Sequence, residues 1–203
     1  MEKAILDNDI IEVFDNIKKD KNEIFKTFFT DFDKEPQINE FVYEHEALLS
    51  KPFINSLLCE GSLNLIKHDS YITNINEALY KQNFKALYFL LNGKTIDDDK
   101  IFQKGSKENK GEIHSILCAH YLQIAIFMSN DGHSRMLLNR LKSNRNNLKI
   151  YRMFDGCKEI ATKEDCMIKK RQLDAIASNF NSEEQRELSQ IWNNRKSKGD
   201  LSN

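Results

Sequence analysis

Apolar residues recur along this chain in two rhythms: short continuous runs and longer stretches with helical spacing. The run KAILD, residues 3–7, predicts a short buried strand. From Ile10 to Phe32 the apolar positions recur at three- and four-residue steps, which predicts helices separated by the polar break KKDKNE. A turn containing Pro36 is expected next, and the helix-like segment INEFVYEHEALLS follows it.

The remaining chain continues the alternation. PFINSLLCEG and the stretch from Ile75 to Leu91 have helical patterns, SLNLIKHD favours a strand, and residues 92–111 read as a polar surface loop. The order then becomes helix EIHSILCAHYLQ, strand IAIFMS, turn NDGHS, helix RMLLNRLKS and strand LKIYRMF. Two more helical patterns occur around residues 163–180 and 182–196.

Strands separated by helices are typical of a parallel sheet that is covered on both faces. We therefore predict an α/β fold, an αβα sandwich around a central parallel sheet. The predicted α/β domain spans residues 1–156, and residues 157–203 form a helical C-terminal extension.

Composition narrows the class of protein. Only 7 Gly and 2 Pro argue against a turn-rich all-β fold or a disordered linker. The chain has no apolar run of the roughly 18 residues that a membrane span requires and no basic n-region, so neither membrane insertion nor a signal peptide is expected. Its four cysteines form no CxxC motif, which favours reduced thiols in the cytoplasm.

The net charge of −1 conceals an asymmetry along the chain. Residues 1–139 carry 16 basic and 22 acidic side chains, net −6, whereas residues 140–203 carry 14 and 9, net +5. Such a division suits an acidic pocket in the first part and a surface facing a polyanion in the last. A solvated helical face explains the basic excess equally well.

Acidic residues follow the predicted strands. Asp7 and Asp9 come directly after the first strand, Asp131 follows IAIFMS, and Glu112 opens a helix after the long polar loop. Because ligands collect at the carboxyl ends of parallel strands, we expect these carboxylates to converge. Crowded carboxylates repel one another unless a cation neutralises them, and hard oxygen donors suit Mg²⁺ or Mn²⁺.

Four stretches, taken in order, resemble the motifs of PIN-domain nucleases: ILDNDII, an acid within FVYEHEALL, GEIHSILCAHYL and IAIFMSNDGHSRML. The resemblance covers residues 3–155. It implies that Asp7, Glu112 and Asp131 are the first, third and fourth acids of the site, with Ser129 at the usual hydroxyl position.

The second acid is ambiguous, because the context VYE favours Glu44 whereas EALL favours Glu46. We assign Glu44 as the catalytic residue and metal ligand, and Glu46 as a supporting residue. Asp9 occupies a position at which the family often has Asn, and its carboxylate is expected to be an additional metal ligand. The supporting positions are Asn8, Glu46, Ser129 and Asn130.

The resemblance implies a Mg²⁺- or Mn²⁺-dependent nuclease that hydrolyses phosphodiesters, most often in RNA and less often in DNA. Many relatives are toxins of toxin–antitoxin pairs and dimerise, so an antitoxin or other protein partner and a homodimer are expected. This chain is longer than the compact toxins of the family, and residues 52–111 and the helical tail are the additional segments. The basic side chains expected to contact nucleic acid are Arg135, Arg140, Lys142, Arg145 and Arg152.

Two other functions remain open. DNDII is one residue away from the signature of haloacid-dehalogenase-like phosphatases, in which the first Asp is a nucleophile, but the accompanying Lys and acidic motifs are missing. The chain is alternatively an inactive PIN-like scaffold that binds a partner. His133, two residues after Asp131, is a further candidate for contact with a substrate phosphate.

Overall fold

A single sheet of five parallel strands organises the described part of the molecule, in the order β3-β2-β1-β4-β5. The computed structural model describes residues 1–104, 109–141 and 147–199, with side chains to residue 195. The strands are β1 (Glu2–Leu6), β2 (Lys34–Asn39), β3 (Asn64–Ile66), β4 (Ile126–Met128) and β5 (Lys149–Tyr151).

Helices connect the strands and continue beyond the last one. The α-helices are α1 (Asn8–Asp15), α2 (Lys21–Asp31), α3 (Lys51–Cys59), α4 (Glu77–Asn92), α5 (Lys110–Tyr121), α6 (His133–Leu141), α7 (Met153–Thr162), α8 (Lys170–Ala177) and α9 (Ser182–Gly199). A π-helix covers Val42–Glu46, and 3₁₀ turns cover His68–Ser70 and Asp98–Lys100. None of the helices described here is both long enough and apolar enough to cross a membrane.

The sheet separates two apolar cores, because successive side chains of a strand point to opposite faces. Ala4 and Leu6 of β1 lie in the first core, whereas Ile5 between them lies in the second. In β4, Met128 lies in the first core and Phe127 in the second. Helices therefore cover both faces, and the predicted αβα sandwich with a parallel sheet is confirmed.

The first core combines the N-terminal helices with the C-terminal ones. Phenylalanines of α1 and α2 form a ring cluster, in which the centroids of Phe14 and Phe25 are 5.0 Å apart. Leu173 of α8 and Leu188 and Trp192 of α9 are buried in the same core. The predicted division after residue 156 falls inside α7, and the helices beyond it complete this core.

The second core lies under α4, α5 and α6. Tyr80, Phe84 and His114 are buried there, and Tyr80 Oη lies 2.5 Å from His114 Nδ1. The loop predicted at residues 92–111 contributes Ile101, which is fully buried in this core. The loop therefore packs against the core through Ile101 as well as facing solvent. Residues 105–108 of this loop lie outside the described part.

The structure differs from the sequence prediction at several element boundaries; for example, β2 includes Ile38 and Asn39, and α8 begins only at Lys170. The predicted turn at Pro36 is part of β2, an inner strand. Pro lacks the N–H that a central strand needs. Pro36 pairs with Ala4 of β1, however, and β3 begins to pair only at Gln37, so the proline lies where β2 has one neighbour.

The predicted strand LKIYRMF ends earlier than expected, because α7 begins at Met153. Asp155 is the cause: its Oδ2 accepts a hydrogen bond from the backbone N–H of Arg152 at 2.9 Å, which satisfies a donor at the start of the helix. The strand β5 accordingly covers only Lys149–Tyr151.

Candidate metal centre

The acidic residues collect where the strand order reverses direction. From β1 the chain builds outward through β2 and β3, and then continues on the other side of β1 with β4 and β5. In open α/β sheets, ligands bind at such a switch point, beyond the carboxyl ends of the strands. The segments that follow β1 and β4 carry Asp7 and Asp131, and these strands are direct neighbours.

Ser129 joins the two strand ends. Its Oγ donates to Asp7 Oδ2 at 3.0 Å and accepts from the backbone N–H of Asp131 at 3.1 Å. Asp7 also caps α1, since its Oδ1 accepts from the backbone N–H of Asn8 at 2.9 Å. The supporting role predicted for Ser129 therefore has a geometric basis: its hydroxyl fixes the orientation of the Asp7 carboxylate.

Asp9 bridges to the other strand end. Its Oδ2 accepts from the backbone N–H of Asn130 at 2.7 Å, and Asn130 Oδ1 accepts from the N–H of Met153 at 3.0 Å. Asp9 Oδ1 is buried and has no hydrogen-bond partner among the described residues. The side chain of Asn8 instead donates to Glu12 Oε1 at 2.7 Å, within α1.

Glu112 enters the site from α5 and is only 5 % exposed. Ser134, in the first turn of α6, donates its hydroxyl to Glu112 Oε1. Ligand atoms of Glu112, Asp131 and His133 lie within 4.8 Å of one another. His133 Nδ1 is 3.2 Å from Asp131 Oδ1.

The structure brings Glu46, rather than Glu44, to this cluster. Glu46 Oε1 accepts from the backbone N–H of Gly111 at 2.7 Å, and its charge interacts with that of Asp7. The Glu44 side chain is 51 % exposed, and its carboxylate is 4.0 Å from His45 Nε2. Residues two positions apart do not share a helix face, so the π-helix can direct only one of these glutamates inward.

Gly111 makes the approach of Glu46 possible. A Cβ atom built at Gly111 would lie 1.8 Å from Glu46 Oε2, so a side chain there would occupy the space of the carboxylate. The glycine that opens α5 is therefore part of the site, a role that sequence reasoning did not assign to it. The dipeptide Gly111–Glu112 was the available signal.

Burial and mutual repulsion raise the pKa values of four carboxyls in the cluster. Burial is the main cause for all four, and it raises the pKa of Asp7 to about 6 and of Asp9 to about 7. It raises the pKa of Glu46 to about 7 and of Glu112 to about 8. The charge of Asp7 adds to the shift of each of the other three, which shows that the carboxyls share one electrostatic environment.

Three helices begin at the cluster. Asp7 precedes α1, Glu112 lies in the first turn of α5, and Asp131 lies two residues before the first residue of α6. Helix N-termini carry partial positive charge and favour anions, typically by a few tenths to one kcal/mol each. The helix N-termini therefore favour ionised carboxylates at the cluster, but burial outweighs them and raises the pKa of Asp7 and Glu112.

The predicted nucleic-acid contacts are dispersed. Arg152 pairs with Glu184 Oε1 of α9 at 2.8 Å, and Arg140 is exposed on α6. Arg135 lines a cleft of about 1020 Å³ together with Glu2 and Lys34, which lie at the amino ends of β1 and β2. The predicted contacts Lys142 and Arg145 lie outside the described residues.

The donor set fits a divalent cation. The available atoms are carboxylate oxygens with one imidazole, and Asp9 Oδ1 is a buried oxygen that lacks a donor. An unpaired buried acceptor costs about 1–3 kcal/mol, which a bound cation would offset. Hard oxygen donors in this number suit Mg²⁺ or Mn²⁺.

Comparisons of the chain with protein-family models, curated proteins and solved structures find no match. The order of the motifs and the geometry of the acids are therefore the observations on which a function can be argued. Sequence reasoning identified Asp7, Asp9, Glu112 and Asp131 as members of the site. It did not identify Ser134 as the partner of Glu112, because one serine in a helix gives no signal of its own.

Proposed function

We propose that the protein is a Mg²⁺- or Mn²⁺-dependent nuclease that hydrolyses phosphodiester bonds, in RNA rather than DNA. The observation that carries this proposal is the convergence of acids from four separate segments at one edge of the sheet. Those acids are Asp7, Asp9, Glu46, Glu112 and Asp131.

These carboxylates would hold the ion. When bound, a divalent ion of this class activates water for attack on phosphorus and neutralises negative charge in the transition state. Asp7, oriented by Ser129 and Asn8, and Glu112, oriented by Ser134, would present the remaining lone pairs of their carboxylates in fixed directions. Asp9 Oδ1, which has no protein partner among the described residues, would gain one on metal binding.

The preference for RNA comes from the resemblance to PIN-domain nucleases, and the net charge of +5 over residues 140–203 supports a polyanionic substrate. The same resemblance supports an antitoxin or another protein as a partner, and a homodimer, whereas the cysteine pattern supports a cytoplasmic protein. These points belong to the proposal and are independent of the metal site.

The first experiment measures cleavage of an end-labelled single-stranded RNA with Mn²⁺, with Mg²⁺ and with EDTA. Asp7→Asn and Asp131→Asn should each lower the Mn²⁺-dependent rate by at least about 100-fold, the scale of losing a group that stabilises transition-state charge. Asn is also a good helix N-cap, so Asp7→Asn should retain the fold.

Asp165→Asn is the matched control, because Asp165 is exposed and distant from the acids in sequence. Its rate should equal that of the wild type. If RNA is cleaved at the same rate by Asp7→Asn and Asp131→Asn as by the wild type, the activity comes from a contaminant and the proposed function is wrong. If none of the proteins cleaves RNA or DNA although the metal binds, the inactive scaffold becomes the better account.

A further inference from the structure

His133 occupies a position that the acidic cluster alone does not explain. It is the first residue of α6, and its side chain is 57 % exposed, whereas Glu112 beneath it is buried. The same helical turn carries Ser134, which binds Glu112. One short turn therefore fixes a buried carboxylate and presents an imidazole next to it.

The distances fit a single metal ion. Two ligands on opposite sides of an ion, each at about 2.1 Å, lie about 4.2 Å apart. Ligand atoms of Glu112, Asp131 and His133 already lie within 4.8 Å of one another, so little movement would bring all three to one ion. The site thus offers two carboxylates and one imidazole.

The groups next to His133 favour its role as a metal ligand. Its Nδ1 lies 3.2 Å from Asp131 Oδ1, and two adjacent ligand atoms at about 2.1 Å from one ion lie about 3.0 Å apart. When Nε2 carries the proton, the lone pair of Nδ1 is free to bind an ion beside Asp131. The backbone N–H of His133 donates to Asp131 Oδ1, at 2.9 Å, which fixes the start of the helix.

We propose that His133 is a nitrogen ligand of the ion held by Glu112 and Asp131, and that it makes the site select Mn²⁺ over Mg²⁺. The inference deepens the proposed function and rests on it for the presence of a cation. Its chemical reason is ligand type: Mg²⁺ prefers oxygen donors and keeps its waters, whereas an imidazole nitrogen suits first-row transition metals. The simpler alternative is an exposed contact between His133 and Asp131 that contributes little to stability and gives no metal preference.

The experiment compares the wild type with His133→Gln, and uses His120→Gln as the matched control. His120 lies on α5, eight residues beyond Glu112 and hence about 12 Å along the helix. Pulsed electron paramagnetic resonance of bound Mn²⁺ detects a directly coordinated nitrogen. The nitrogen coupling should be present in the wild type and in His120→Gln, and absent in His133→Gln.

Calorimetric titration supplies the second readout. His133→Gln should weaken Mn²⁺ binding by at least about tenfold, the lower end of the loss seen for residues that merely orient ligands. Mg²⁺ binding should change by less than about threefold, which is within about 0.7 kcal/mol. Circular dichroism of each variant checks that the fold is retained.

The outcomes separate the two proposals. Bound Mn²⁺ without nitrogen coupling in the wild type, or equal losses for Mn²⁺ and Mg²⁺ in His133→Gln, would overturn the role of His133 and leave the acidic metal site standing. Nitrogen coupling without any nuclease activity would support His133 and overturn the proposed reaction. A wild type that binds neither ion would overturn both.

Discussion

Asp7 combines two roles that a sequence reading treats as alternatives. It is the N-cap of α1, as an aspartate after a strand commonly is, and it also lies in the acidic cluster. One carboxylate has two oxygens: Oδ1 accepts from Asn8 and Oδ2 from the Ser129 hydroxyl. Capping therefore orients the side chain for the site, and the structural role supports the chemical one.

Substitutions of Glu46 and Glu44 test directly which of the two glutamates contributes to metal binding. Glu46→Gln removes a charge that contacts Gly111 and interacts with Asp7, so Mn²⁺ affinity should fall by about tenfold. Glu44→Gln is the control, since its half-exposed side chain faces His45, and its affinity should match the wild type. Calorimetric titration with Mn²⁺ measures both. A larger loss in Glu44→Gln than in Glu46→Gln would contradict the geometry.

Gly111 tests whether the position of Glu46 matters apart from its charge. In Gly111→Ala the new Cβ would overlap the Glu46 carboxylate, which sits at the end of a flexible side chain and can move away. The free energy of unfolding should change by no more than about 1 kcal/mol, because Ala favours the helix by a similar amount. Mn²⁺ affinity should nevertheless fall towards that of Glu46→Gln.

Gly132→Ala is the matched control for that substitution. Gly132 lies in the same site, but an added Cβ there meets no atom within 4 Å. Its Mn²⁺ affinity, measured by the same titration, should stay close to that of the wild type. Equal affinities for Gly111→Ala and the wild type would show that Glu46 binds the ion from another position or not at all.

At the scale of elements, periodicity predicted those segments whose burial pattern is regular. The helices α1 and α2 have apolar residues at three- and four-residue steps, β1 ends in the apolar run AIL, and β4 is apolar throughout. The strand β2, KEPQIN, has neither signal and contains Pro36. Its position depends on pairing with β1 and β3, and such tertiary pairing leaves no local pattern to read.

The same reasoning applies to the end of β5 and the start of α7. In the segment LKIYRMF apolar residues stand on both sides of Arg152, so periodicity cannot tell where a strand stops and a helix begins. The boundary depends on one hydrogen bond from Arg152 to Asp155, and an aspartate four residues after a strand is not a distinctive pattern. The sequence left the choice between Glu44 and Glu46 open for a similar reason, because the glutamate that faces the acids depends on a π-helix of five residues.

The C-terminal helices should unfold together with the sheet. Trp192 of α9 is 5 % exposed and lies in the first core with residues of β1 and α1. Trp192→Ala should lower the free energy of unfolding of the whole chain by about 3–5 kcal/mol. Urea denaturation followed by circular dichroism should show a single transition, shifted to lower urea.

Phe89→Ala is the control for that change, because Phe89 is an aromatic residue of α4 that is mostly exposed. It should alter the free energy of unfolding by less than about 0.5 kcal/mol. If Trp192→Ala produced two transitions, with the second at the wild-type urea concentration, residues 157–203 would form an independent unit, as the division after residue 156 supposes.

For the molecule as a whole, topology explains why distant acids meet. Asp7 and Asp131 are far apart in sequence, yet they follow neighbouring parallel strands and so end at the same edge. The order of strands and acids along the chain was enough to predict this convergence, because parallel strands have only one carboxyl edge. It was not enough to predict the hydroxyl and glycine partners, since their roles depend on distances between helices.

Placing several weakly acidic carboxyls in one site makes the stability of the metal-free protein depend on pH. The pKa values of Asp7, Asp9, Glu46 and Glu112 lie between about 6 and 8 when folded, against about 4 when unfolded. Between these values the folded state binds more protons than the unfolded state. The free energy of unfolding contributed by these groups is therefore fully present below about pH 4 and is lost as the pH rises through about 6 to 8.

Mn²⁺ should reverse this dependence, because it binds the ionised carboxylates of the folded protein and so displaces protons. The melting temperature without metal should fall between about pH 5.5 and pH 8.5, and saturating Mn²⁺ should raise it more at pH 8.5 than at pH 5.5.

Glu112→Gln should make the metal-free protein more stable than the wild type at pH 8.5, by about 1–3 kcal/mol, and should remove much of the gain from Mn²⁺. Scanning calorimetry at both pH values, with the exposed-site variant Glu44→Gln as control, measures these differences. Identical melting temperatures for Glu112→Gln and Glu44→Gln at both pH values, with and without Mn²⁺, would show that the Glu112 carboxyl is not part of a cation site. In a cation site, the proton and the ion must compete for the oxygens of this carboxyl.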